Sequence, residues 1–83
     1  MSEDTIQYLV LDRVEPACNM DRYYVLAIET SLFGHPTLIR EWGRIGYPGQ
    51  RRVELHDNQS CAVEALETWL QKKQRRGYQL RNG

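Results

Sequence analysis

Apolar and polar positions divide the chain into two parts with different periods. From Thr5 to Val14 the run TIQYLVLDRV is β-branched and aromatic with a period of two, and it ends in EPACNMD, where Pro16, Asn19 and Asp21 suit a turn. In RYYVLAIETSL, Tyr24, Leu26 and Ile28 alternate with Tyr23, Val25, Ala27 and Glu29. One face of that strand is wholly apolar and the other nearly so, which predicts a central strand. FGHP at 33–36 is a hairpin connection, TLIREWGRIG at 37–46 a third strand, YPGQ a second tight turn, and RRVELH at 51–56 a fourth strand. Three successive hairpin-type links imply an antiparallel meander.

From about Asn58 to Arg76 the period becomes helical. Ala62, Val63, Leu66, Trp69 and Leu70 recur at three- and four-residue intervals and form a stripe to lay on the sheet. Asp57, Asn58 or Ser60 can cap the start, and Gly77 suits the left-handed position after the end. Lys72, Lys73, Arg75 and Arg76 crowd the last turn, where the helix dipole favours cations. GYQL then returns the chain to the sheet edge. The predicted class is α+β: a small antiparallel sheet of about four strands with one C-terminal helix packed on it.

With 83 residues, 41% hydrophobic and 27% charged, the expectation is one globular domain over 1–83, with its organised core at about 5–80. The longest apolar run, YYVLAI, is far too short for a spanning helix of about 20 residues. The acidic start MSEDTIQ has no secretory pattern, so the expected location is cytoplasmic, with no membrane partner. Cys18 and Cys61 form no CxxC pair, and with His35 and His56 they show no metal-ligand spacing; free thiols and no metal are expected. There is no P-loop, nucleophile elbow or dinucleotide fingerprint, so no catalytic role and no cofactor are expected. Glu54 and His56 share a strand face, as solvated neighbours commonly do.

The formal net charge is zero, yet the sequence is polar along its length. Residues 1–39 carry six acidic and two basic side chains, whereas residues 40–83 carry nine basic and five acidic ones. If that polarity becomes a face, it can meet phosphate despite the neutral total.

The third strand concentrates the candidate chemistry. Alternation puts Leu38, Arg40, Trp42 and Arg44 on one face and Ile39, Glu41, Gly43 and Ile45 on the other. If the helix covers the Ile39 and Ile45 face, Gly43 leaves room there for a large neighbour such as Trp69, and Trp42 stands on the opposite face between two arginines. A bulge at the glycine would invert this assignment. An aromatic ring flanked by guanidinium groups has two uses: cation–π stacking that stabilises the sheet, or a stacking platform for a base or sugar with arginines on phosphate.

EWGRIGYPGQ resembles the defining motif of WGR domains, small modules of poly(ADP-ribose) polymerases and of many bacterial proteins, some standing alone. The resemblance extends through Gly46, Gly49 and Gln50. NMDRYYVLAI is similar to the family's asparagine-then-aromatic strand, and Ala62, Leu66, Leu70, Lys73 and Tyr78 fall at the spacing of its helix and closing aromatic. It implies an antiparallel sheet with a helix packed on it, in agreement with the periodicity. It also implies a non-catalytic module that contacts DNA ends or nicks, with RNA a second candidate, in which Trp42 stacks and Arg44 meets phosphate or a partner domain. Arg40, Arg51 and Arg52 are added to that surface from position and charge. The alternative is a protein-interaction module using Arg44 and the basic surface, with no nucleic-acid contact. No polymerase catalytic domain is present, so ADP-ribosyl transfer is not expected of this chain.

Overall fold

The structure, a computed structural model, describes residues 7–31 and 33–81; the sequence expectations for the first residues of the opening strand, Thr5 and Ile6, and for the acidic start lie outside them. Five strands form one antiparallel sheet: β1 (Gln7–Glu15), β2 (Met20–Thr30), β3 (Pro36–Arg44), β4 (Gln50–Leu55) and β5 (Gln79–Leu80). Their order is β4-β3-β2-β1-β5. A single helix, α1 (Gln59–Arg75), precedes the last strand. The meander of four strands follows the sequence pattern, and the fifth is the two-residue return of GYQL onto β1, where Leu80 pairs with Leu11. Arg81 fixes that edge with a forked pair of hydrogen bonds to Asp12, at 2.7 and 2.6 Å.

The turns follow local chemistry. Pro16–Cys18 forms a short 3-10 turn closed by Asn19 in the left-handed conformation (φ 51°), which asparagine tolerates better than most residues. Asn58 caps α1 through its side-chain oxygen, which accepts the Cys61 N–H at 2.9 Å. At the other end Gly77 (φ 99°) donates to the Gln74 carbonyl and Tyr78 to that of Lys73, the paired bonds of a Schellman cap. The cap aims Tyr78 back under the helix, where it is buried.

The helix covers the face that holds Leu11, Tyr24, Leu26, Ile28 and Leu38, with Ala62 and Leu66 pressed into them and Trp42, Trp69 and Leu70 packed around the rim. Each fully buried leucine among these contributes about 1.5–3 kcal/mol relative to exposure. This corrects the expectation that α1 covers the Ile39 and Ile45 face: it covers the Leu38, Arg40 and Trp42 face. There is no bulge at Gly43, since the β2–β3 register runs unbroken from Arg22↔Arg44 to Thr30↔Pro36. The error lay in the choice of face, because β2 is apolar on both sides.

Gly43 also has a different neighbour from the one expected. A Cβ there would meet the Gly49 Cα at 2.8 Å and the Tyr23 ring at 3.4 Å; Trp69 lies on the other side of the sheet. A Cβ on Gly49 would collide with the Trp42 carbonyl oxygen and the Tyr23 hydroxyl. The two glycines let the β3–β4 turn fold directly onto β3. That turn is closed by the Tyr47 N–H donating to the Arg44 carbonyl at 3.0 Å, with Gly46 at φ 88°.

Candidate functional site

Trp42 is held at the end of β3 by its neighbours across the sheet. Its ring stacks on Tyr24 with centroids 5.7 Å apart and planes 14° from parallel, and it is half-buried. Tyr24 in turn stacks on Trp69 at 6.4 Å and meets Tyr78 edge-on at 6.1 Å. The four rings form one layer between sheet and helix, and offset or edge-on pairs of this kind each contribute about 0.5–1.5 kcal/mol beyond burial.

Cations thread this layer. Arg40 is only 8% exposed; its guanidinium lies 4.0 Å from the Trp69 ring centroid and 5.5 Å from that of Trp42. Its Nη1 donates to the Tyr24 hydroxyl at 3.1 Å and its Nη2 to the Glu54 carboxylate at 3.0 Å. Burial acts to lower the Arg40 pKa, but the hydrogen bonds to Tyr24 and Glu54 outweigh it, so the side chain stays charged. Burial likewise raises the Tyr24 pKa above the usual tyrosine value, against the lowering effect of Arg40. Lys73 Nζ sits 4.5 Å from the Tyr24 ring centroid, and its pKa is lowered, first by burial and then by Arg76, Arg40 and Lys72. Among the described residues no carboxylate lies within ion-pair distance of Lys72, Lys73, Arg75 or Arg76, so four cations gather at this end of α1.

Trp42, partly exposed, lines a cavity of about 290 Å³ with Arg22, Arg44, Asp21, Gly43, Asn19 and Tyr78. Arg22 and Arg44 are direct cross-strand partners two positions along from the Tyr24–Trp42 pair, so both arginines stand on the tryptophan's face at the same end of β2 and β3. Arg44 also lies 5.6 Å from the Tyr47 ring centroid. A partly exposed ring beside two guanidinium forks offers a sugar or base a stacking surface and offers phosphate bidentate partners.

The five residues picked from sequence separate in space. Trp42 and Arg44 share the cavity. Arg52 is exposed on the same face, opposite Arg40 in the β3–β4 register. Arg40 departs from the expectation of a surface contact, since it is buried and its donors are engaged by Tyr24 and Glu54. Arg51 points from the other face and pairs with Glu41 at 3.5 Å. Arg22 and Tyr78 were missed as site residues; the signal for Arg22 was its position in NMDRYY, two residues before the central tyrosine, but only strand register brings it beside Arg44.

Among the described residues no group of three or more His, Cys, Asp or Glu side chains is placed to hold a metal, and no helix is long and apolar enough to cross a membrane.

Comparison with known proteins agrees with the motif. The family model for the WGR domain matches residues 8–83. "Uncharacterized protein y4dW" of Sinorhizobium fredii (strain NBRC 101917 / NGR234) is 42% identical over 73 residues, which cover 88% of this chain and 36% of that relative. The chain thus spans about a third of the relative's length. No solved structure matches. With the motif tryptophan, glycine and arginine at 42–44, the sheet and helix around them, and a family match over nearly the whole chain, the protein belongs to the WGR domain family, known as a nucleic-acid-binding module without catalytic activity by itself.

Proposed function

We propose that this chain binds nucleic acid, at DNA ends or nicks, through the cavity formed by Trp42, Arg22 and Arg44. What carries this is the meeting at one cavity of a half-buried tryptophan braced from behind by Tyr24 and two arginines from adjacent strands. A terminal nucleotide presents both a flat face and a phosphate freed from the continuous stack. The ring takes the first by stacking and the arginines take the second. Arg52 and the basic end of α1 add positive field on the same side of the sheet and draw in the flanking backbone. Arg40 acts indirectly, holding Tyr24 and through it the plane of Trp42. Arg51 faces away and contributes only to the overall field.

The test is binding of the chain to blunt, nicked and closed circular duplexes of equal length at several salt concentrations. Tighter binding to the first two, weakening as salt rises, is the expected result. Equal affinity for all three would remove end or nick recognition, and no salt-sensitive binding to any nucleic acid would remove the function. A protein complex abolished by Arg44→Ala, with no nucleic-acid binding, would assign the same surface to a protein partner.

A further inference from the structure

We propose that the chain forms a twofold dimer in which the free edge of β4 pairs antiparallel with β4 of a second copy. β4 is the outer strand of the sheet beyond β3. The His56 N–H donates to the Pro36 carbonyl at 2.9 Å, in the same register as Thr37↔Leu55 and Leu38↔Glu54. In an antiparallel ladder hydrogen-bonded pairs alternate, so Gln50, Arg52 and Glu54 turn their backbone groups to β3, and Arg51, Val53 and Leu55 turn theirs outward. Three consecutive outward-facing sets of N–H and C=O groups are an open template for another strand.

Side-chain chemistry selects the occupant and the register. With the twofold axis at Val53, Arg51 falls opposite Leu55 of the second copy, and all three outward residues on each chain exchange hydrogen bonds. In that register Arg52 falls opposite Glu54 of the second copy, and Glu54 opposite its Arg52, two opposite-charge pairs on the same face of the sheet. Sliding by two residues in one direction sets Arg52 against Arg52; in the other it sets Glu54 against Glu54. Charges on an edge strand block pairing where they meet like charges, and of these three registers only the one centred on Val53 avoids that.

The apolar residues agree. Tyr8, Ala27, Ile39 and Val53 form one row across the face that α1 does not cover. Val53 is half exposed, and Leu55 more so. Pairing at Val53 extends the row into its twofold-related copy and makes one continuous apolar strip. Because the axis is perpendicular to the sheet, both helices and both Trp42 cavities lie on the same side. With strands about 4.8 Å apart and a rise of about 3.4 Å per residue, the two tryptophans stand about 25 Å from each other.

Sedimentation of the chain from low to high micromolar concentration tests this without any nucleic acid. The wild type is expected to move toward twice its monomer mass as concentration rises. Val53→Pro removes an outward N–H that β3 does not use, and Arg52→Glu turns both charge pairs repulsive. Each should raise the dimer dissociation constant about tenfold or more while the circular-dichroism spectrum is unchanged. If Val53→Pro fails to fold, Arg52→Glu decides. In a chain with Cys18 and Cys61 replaced by serine, Val53→Cys should link two copies on oxidation, since the axis sets residue 53 opposite itself. A wild type monomeric throughout, a dimer unaffected by Arg52→Glu, or a failure to cross-link at 53 would overturn the proposal.

Discussion

On one face of the sheet Tyr24, Leu26 and Leu38 lie beneath α1; on the other Val25, Ala27 and Ile39 have no second layer among the described residues and yet are also buried. Neighbours within the sheet contribute to that burial. Val25 sits between Val10 and Glu41, and Ala27 between Tyr8 and Ile39, so long neighbours on adjacent strands shield small residues in the middle. The covered face works differently: its large rings stack in a layer that the helix closes, and cations enter that layer from its rim. Burial on a central strand therefore does not identify the face that receives a helix. What identifies it here is where the large aromatics and the one buried arginine meet.

The difference yields graded consequences. The largest is expected at the close approach behind the tryptophan: Gly49→Ala should lower stability by about 2–3 kcal/mol in urea unfolding, because the new methyl meets the Trp42 carbonyl and the Tyr23 hydroxyl. A loss no larger than that of an ordinary surface substitution would show that the turn can retreat from β3.

Next comes Arg40→Ala, with a loss of about 2 kcal/mol, since it strips the donors from a buried tyrosine hydroxyl and from Glu54, which is a third exposed. Arg40→Lys should recover only part of it, because an ammonium cannot hold both partners and lie flat on Trp69.

The covered face should also govern alkaline unfolding. Tyr24 has its pKa raised in the fold by burial, so its contribution to stability is complete below the ordinary tyrosine value of about 10 and is lost as pH rises through the higher folded value. Thermal melts taken upward from about pH 10 should fall more steeply for the wild type than for Tyr24→Phe; parallel slopes would mean that this hydroxyl does not couple to folding.

On the open face, Arg51→Ala removes an exposed pair with Glu41 and should change stability by less than about 0.5 kcal/mol. A larger change in the same urea measurement would mean that the open face supports the fold as the covered one does.

Periodicity made the four long strands and the helix legible, with its start narrowed to Asp57, Asn58 or Ser60, because each agrees with local propensity and with turn chemistry at its ends. The choice of covered face was not legible. Both faces of β2 read as apolar, and a sequence carries no mark that tells Tyr24 from Tyr23. Arg40 was misjudged for a related reason: arginine is seldom buried, and only the convergence of Tyr24, Glu54 and Trp69, remote from one another in sequence, makes burial tolerable. Arg22 became a candidate only through its pairing with Arg44. The motif residues Trp42 and Arg44, by contrast, were legible from the motif itself, since strand positions two apart must share a face.

The most direct test compares the two faces in nucleic-acid binding: the slope of log affinity against log salt on a nicked duplex, measured for the wild type, Arg44→Ala and Arg51→Ala. The cavity on the covered side predicts that Arg44→Ala flattens the slope by about 0.9, the effect of leaving a single phosphate without its cation, while Arg51→Ala leaves it within error of the wild type. An equal flattening in both variants, or none in Arg44→Ala, would contradict a binding site built around Trp42.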